Sequence, residues 1–563
     1  MSRSGGRILV DQLEIHGVEL AFGVPGESYL AVLDALHDSP LRYVICRHEG
    51  GAANMADAYG KLTGRPGICL VTRGPGATHA SVGVHTAFQD STPLILLVGQ
   101  VGRDMLGREA FQEVDFERMF APLAKWAAQI EAAERIPELV SRAFEVATSG
   151  RPGPVVLSLP EDMLSDRVVA VDATPYVAEQ AQPAPADLAR LRELLAGARR
   201  PFVLVGGGGW TAQAAADMQA FCEANDLPVG ASFRRQDYVD NSSRVWAGHV
   251  GIGPDPRLAA RVREADVLLV VGARLGDMTT SGYTLVAPPQ PAQTLIHVHA
   301  GAEELGRVYQ AELAIHAGSP QTAAALRALE PLDSSAWRAR TEQAHADFLD
   351  TLRHGHMPGE LDMGEVMAIL RRRLPDDAIL TNGAGNFSVW AHTFYSFRRY
   401  GTQLAPTSGA MGYGLPAAVA AKLLRPERTV VCFAGDGDFL MSGQELATAV
   451  QYELPLVVLV VNNRMYGTIR MHQERHYPGR VSGTDLVNPD FARYAEAFGA
   501  FGEVVERTEQ FEGAFERALA AGRPALLELR VDPEGITPRQ TLTQIREAAQ
   551  AGRQEIRDAG VGR

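Results

Sequence analysis

The sequence predicts three doubly wound α/β domains. Two patterns and the length carry that prediction. Short apolar runs alternate with amphipathic helical runs along the chain. Those runs are apolar at nearly every position, the mark of parallel strands covered by helices on both faces. The length of 563 residues suits about three to five domains at roughly 100–200 residues each.

In the first domain, residues 1–172, the predicted strands are AFGV (21–24), YVIC (43–46), GICLVT (67–72), LILLVG (94–99) and PVVLSLP (154–160). Helical stretches at 29–36 and 50–62 separate them. ATPYVAEQAQPAPAD, rich in Ala and Pro, then reads as a linker. The second domain, 185–332, has strands FVLVG (202–206), LPVGAS (227–232), VLLVVGA (267–273) and TLIHVHA (294–300). A charged helical stretch over 333–360 leads to the third domain, 358–532. Its strands are AILTN (378–382), TVVCFAGDG (429–437), LPLVVLVVNN (454–463) and ALLELRV (525–531). Residues 533–563 form a polar, helical C-terminal tail. The first and third domains share size and pattern, which suggests two related domains flanking a middle one.

Lys and Arg number 53 against 67 Asp and Glu, a formal charge of −14. So acidic a chain is not a general nucleic-acid or anionic-membrane binder. Cys46, Cys69, Cys222 and Cys432 are scattered among apolar neighbours without a CxxC. They are expected to be buried free thiols, not a zinc site or a disulfide frame. No run is apolar enough for a signal peptide or a membrane span, so a cytoplasmic protein is expected.

The chemistry concentrates in the third domain. Strand TVVCFA runs into Gly435-Asp436-Gly437-Asp438, a helical stretch over 443–452 follows, and the next strand ends at Asn462-Asn463. The 27 positions from Asp436 to Asn463 allow one right-handed crossover, which brings the ends of two parallel strands together. The glycines permit a tight turn and a close ligand approach. A carboxylate, an amide oxygen and a backbone carbonyl are hard ligands suited to Mg²⁺ shared with phosphate oxygens.

The stretch from GDG to NN resembles the cofactor-binding motif of the thiamine-diphosphate enzymes. In that family the central Asp, the second Asn and a main-chain oxygen two residues later bind the metal. The resemblance therefore implies Asp436, Asn463 and Met465 as ligands. It extends over nearly the whole chain and is closest to the acetolactate synthase branch. RHEGGAANMADAYGKLTGRPG resembles the segment carrying the family's catalytic glutamate, here Glu49, and TRGPGATH, AFQDSTPLILLVGQV and GREAFQE follow in the family's order. TSGAMGYGLPAA resembles the segment that holds the aminopyrimidine ring, with Gly409 accepting a hydrogen bond and Met411 forcing the cofactor to bend. Gly385 and Asn386 of GAGNF match a diphosphate-contacting position. Gly435, Gly437, Asp438 and Gly467 complete the implied cofactor site.

These roles agree chemically. A carboxylate on the ring nitrogen favours the imino tautomer, whose nitrogen removes the cofactor's C2 proton. Such a carboxylate works best in an apolar setting.

Other signals are weaker. VLVGGGGW is a strand followed by Gly206–Gly209, a lone glycine-rich turn. The middle domain of acetolactate synthases often binds FAD as a structural ligand. GGGG, GHVGIG and GARLGD keep the corresponding order, but His297 and His299 stand where aspartates are usual, so the sequence leaves FAD open. At the rim, Glu27 follows a Pro-Gly turn, Arg73 replaces the usual Ser, and His472 stands where many synthases have Trp. Gln112 and Lys125 match positions near the site. Glu27 is expected to face the cofactor and handle protons, and the polar rim leaves the exact substrate undefined.

The resemblance implies decarboxylation of pyruvate or a related 2-oxo acid, then carboligation to a second carbonyl compound. The rival is simple decarboxylation with aldehyde release. It also implies a homodimer or homotetramer with active sites shared between subunits; a regulatory subunit is not decided by the sequence.

Overall fold

The computed structural model describes residues 1–558, with side chains through Arg553; the last residues of the expected tail lie outside the described residues. The chain forms two compact units. One is Met1–Asp347 with Arg398–Gln403, and the other is Phe348–Phe397 with Leu404–Arg563.

The first unit holds two six-stranded sheets. One has the spatial order Arg42–Ile45, Leu20–Gly23, Gly67–Thr72, Leu94–Gln100, Pro154–Pro160, Trp126–Gln129. Every pairing in it is parallel. Numbered by occurrence along the chain, that order is 2-1-3-4-6-5. The other sheet runs Trp246–His249, Val229–Ala231, Pro201–Val205, Val267–Val271, Thr294–His299, Leu313–His316. Its order, 3-2-1-4-5-6, is that of dinucleotide-binding sheets.

The second unit holds the third sheet: Gln403–Leu404, Ile379–Asn382, Val430–Gly435, Val457–Asn462, Ala525–Arg530, Phe501–Val505. Its order is again 2-1-3-4-6-5, so the first and third sheets share one topology. Open parallel sheets bind ligands beyond the strand ends where the order reverses. In the third sheet that point lies between Ile379–Asn382 and Val430–Gly435.

The central strands are buried at every position except Thr72, as their sequences require. Helices pack against the sheets, some buried on all sides, as Glu49–Thr63 is from Gly50 to Gly60, and some along one apolar stripe. In Ile136–Thr148 the buried residues include Ile136, Leu139, Val140, Ala143, Phe144 and Ala147, spacing that keeps them on one face. Phe433 is fully buried in the third core, a contribution of about 1.5–3 kcal/mol for a side chain of that size. Helix and strand approach closely at Gly67, where a Cβ would lie 1.9 Å from the Ala56 carbonyl oxygen.

Two features depart from expectation. The edge strands Trp126–Gln129, Trp246–His249, Leu313–His316 and Phe501–Val505 were not among the predicted strands. The C-terminal segment is more than a tail. Leu542 and Ile545 pack with Met465, Met471 and Ile536, and Arg546 donates twice to buried Glu474, at 2.9 Å each.

Residues 398–403 belong to the first unit. The buried Asp237 carboxylate accepts the N–H groups of Gly401, Thr402 and Gln403 at 2.9, 3.0 and 3.2 Å. Tyr400 donates to the Trp210 carbonyl at 2.8 Å. Among the described residues, no helix is long and apolar enough to cross a membrane. All four cysteines are buried and unpaired by disulfides.

Candidate active site

A solvent-open cleft of about 260 Å³ lies at the switch point of the third sheet. It brings together Gly385, Asn386, Gly409, Met411, Gly435, Asp436, Gly437, Asp438, Asn463, Met465 and Gly467. All the cofactor and metal residues expected from the sequence therefore line one cavity.

Strand Val430–Gly435 delivers Asp436 at its end, and its carboxylate is almost fully buried. One oxygen accepts the Gly437 N–H at 3.0 Å and the other accepts Asn488 Nδ2 at 2.7 Å. Burial pushes this carboxyl above its ordinary value, against the pull of those donors. Asn488 also donates to Asn462 Oδ1 at 2.9 Å. It joins the ends of two neighbouring strands, and no motif marked it. Asn463 Oδ1 accepts the Met465 N–H at 3.2 Å.

Asp438 ties three loops. Its Oδ1 accepts the N–H groups of Ala384 at 2.9 Å and Gly412 at 3.0 Å. Asn386 accepts from Thr468 Oγ1 at 2.9 Å and donates to the Ile536 carbonyl at 3.1 Å. Thr468 and Ile536, unassigned from the sequence, line the cleft too. Gly409 needs its flexibility for its backbone, with φ +72°. Gly467 is required sterically, since a Cβ there would meet Ile536 at 2.7 Å and Asn463 Nδ2 at 2.9 Å. A buried carboxylate and an amide over bare glycine backbone fit a hard divalent cation with a diphosphate.

Glu49 stands in the first unit, as the first residue of the helix Glu49–Thr63, where a helix dipole favours a carboxylate. His48 caps that helix, its Nδ1 accepting the Gly50 N–H at 3.0 Å. Glu49 Oε2 lies 2.8 Å from Nδ1 of His79, on the helix Arg73–Asp90. The rings of His48 and His79 stack at 4.5 Å. Burial, with His79 nearby, holds the His48 imidazole below its ordinary value.

The rim residues divide. Glu27 is exposed, with 59% of its side-chain surface open, and pairs with Arg73 at 3.2 Å. Arg73 is buried and also pairs with Glu161 at 2.7 Å. The Gln112 carbonyl accepts the Gly74 N–H at 3.0 Å, which docks its loop on the Arg73 turn. His472 lies on the helix Gly467–His476 but is exposed and does not line the cleft. Lys125 is committed to the backbone: it donates to the carbonyls of Val146 at 2.5 Å and Ser149 at 2.7 Å. It caps a helix end, and burial lowers it to about 8.

The glycine turn of the middle sheet serves packing. A Cβ on Gly207 would lie 1.9 Å from the Gly272 carbonyl oxygen, and one on Gly208 1.9 Å from that of Ser91. The Gly207 carbonyl accepts from Arg235 at 3.0 Å and Tyr238 at 2.7 Å. The Gly206 carbonyl accepts from the buried Trp210 indole at 2.8 Å. His297 and His299 are both buried, and each bonds to backbone. They are core residues.

The chain matches three family descriptions in order. They are "Thiamine pyrophosphate enzyme, N-terminal TPP binding domain" over residues 3–119, the central domain over 188–326 and the C-terminal TPP binding domain over 383–529. It is similar to the acetolactate synthase isozyme 2 large subunit of Escherichia coli K12, at 33% identity over 94% of this chain and 96% of that protein. The isozyme 3 large subunit of the same organism is 34% identical, with 92% of each covered. A probable acetolactate synthase large subunit of Methanocaldococcus jannaschii is 32% identical, over 95% of this chain and 93% of that protein.

Proposed function

The chain belongs to the thiamine pyrophosphate enzymes, among the acetolactate synthase large subunits, and from that premise we propose its reaction and the residues that perform it. It decarboxylates pyruvate or a related 2-oxo acid and joins the remaining fragment to a second carbonyl compound. The observation behind this reading is the single cleft that gathers Asp436, Asn463 and the glycine-rich loops.

Asp436, Asn463 and the Met465 carbonyl would hold Mg²⁺. Gly385, Asn386, Gly435, Gly437 and Gly467 leave room for a diphosphate, with Asp438 fixing the loops around it. Gly409 and Met411 receive the aminopyrimidine ring, and Glu49 holds the proton at that ring's nitrogen. When bound, thiamine diphosphate supplies the nucleophilic carbon and the electron sink for decarboxylation. Any flavin held by the middle domain would be a structural ligand, because decarboxylation and carboligation need no net electron transfer.

A homo-oligomer is part of the proposal, since the family takes the glutamate and the metal ligands of one site from different subunits. Four buried thiols suit a reducing compartment. Mass-spectrometric product analysis after incubation with Mg²⁺, thiamine diphosphate, pyruvate and a panel of acceptors tests the reaction. A ligated hydroxy-keto product is expected. Aldehyde alone would favour simple decarboxylation, the reading that the acid after the Pro-Gly turn, Glu27, would support.

A further inference from the structure

The exposed histidine beside Glu49 is left without a role by the reading above. His79 projects from the helix Arg73–Asp90 and places Nδ1 2.8 Å from Glu49 Oε2. When Glu49 is ionised it only accepts, so Nδ1 then carries the proton in this contact. The second oxygen, Oε1, lies beside Gly76, 3.6 Å from where a Cβ on that residue would stand. One oxygen is thus engaged by the chain, and the other has glycine beside it.

The ring is held in place. It stacks on His48 at 4.5 Å with 28° between planes, and His48 is fixed as the helix cap by the Gly50 N–H. Helix start, cap and imidazole form one chain of contacts that ends on the carboxylate. The same three side chains come within 4.8 Å of one another through possible ligand atoms. Stacked rings, however, aim their in-plane lone pairs side by side, whereas a metal needs them to converge at about 2.0–2.1 Å. The arrangement suits a hydrogen bond rather than a cation.

We propose that His79 is a positioning residue for Glu49: its Nδ1–H orients the carboxylate and leaves Oε1 to exchange a proton with the cofactor's ring nitrogen. This rests on the reading of Glu49 as the proton-holding group. A charge-assisted bond restricts which oxygen points at the ring and stabilises the ionised form when the proton has left.

The test compares His79→Leu, which removes the donor, with His79→Gln, whose amide N–H can replace it. Glu49→Gln and the double variant Glu49→Gln/His79→Leu complete the set. The readout is hydrogen–deuterium exchange at C2 of bound thiamine diphosphate, with cofactor affinity by calorimetry and the ¹⁵N shift of His79 in the cofactor-free enzyme. We expect His79→Leu to slow exchange about tenfold or more, the scale of one hydrogen bond to a charged group, with affinity within about threefold. His79→Gln should recover most of the rate. The double variant should be no slower than Glu49→Gln, and Glu49→Gln should move the His79 Nδ1 shift. If His79→Leu exchanges within about twofold of wild type while Glu49→Gln is slow, His79 is a surface histidine and the inference fails alone. If Glu49→Gln itself exchanges at the wild-type rate, the assignment of Glu49 falls and this inference with it.

Discussion

Asp436 is held out of water by one backbone N–H and one amide, and it faces a cleft that it shares with Asn463. A divalent cation there would convert a costly buried charge into a ligand. Asp436→Ala and Asn463→Ala should each weaken Mg²⁺-dependent thiamine diphosphate binding about 100-fold or more, measured by titrating the apoenzyme. Unchanged affinity in both would remove the metal assignment. Asn488→Ala should weaken it less, about tenfold, because it loses only the group that orients Asp436. The difference in legibility between these residues is physical. Asp436 and Asn463 sit at strand ends a crossover apart, a spacing that sequence displays. Asn488 reaches them from a loop through space, and such a bond leaves no period in the sequence. Glu27 was legible as an acid after a Pro-Gly turn, but its partner Arg73 was visible only as an unusual replacement for Ser. Glu27→Gln should lower turnover about 10²-fold if proton transfer is lost, or raise the ratio of aldehyde to ligated product. A rate and ratio both within about twofold of wild type would leave Glu27 as a helix-start residue tied to Arg73.

Among the elements, buried strands were readable, and of the edge strands Arg42–Ile45 was found as YVIC while most others were missed. PVVLSLP is apolar throughout and was found over its observed span, Pro154–Pro160. WAAQ, its neighbour at the sheet edge, is partly exposed at all four positions and has neither a continuous apolar run nor strict alternation. The C-terminal helix was legible as helix, but its docking was not, because Leu542 and Ile545 are too few to form a stripe. The crossing of the helix Glu49–Thr63 over the strand Gly67–Thr72 depends on one absent Cβ. Gly67→Ala should destabilise the first unit by about 1–3 kcal/mol, the usual cost of overpacking, seen as a lower melting temperature. A variant that melts with the wild type would mean the backbone yields there.

At the scale of the whole molecule, the recurrence of one strand order in the first and third sheets explains why two switch points carry the polar residues, while the middle sheet's glycine turn is spent on packing. That middle sheet also makes stability depend on pH. Burial lowers His299 to about 4 and holds His297 below its ordinary value too, and His299 Nδ1 accepts the Gly301 N–H at 2.9 Å. The unfolded rings titrate near 6.5. Between those values the unfolded chain takes up protons that the folded chain refuses, so stability is full above about pH 6.5 and falls as pH drops toward 4. Calorimetric melting should therefore show a lower midpoint at about pH 5 than at 7, with a shallower slope in His299→Gln. An unchanged slope would point to other groups. Another long-range dependence lies in residues 398–403, which satisfy the buried Asp237. The ribosome emits the whole of Met1–Asp347 before it reaches them. At about 5–20 residues per second, a nascent first unit waits seconds with that carboxylate short of its donors. Its final closure is thus timed by translation of the chain that follows, and a product cut at residue 347 would never complete it.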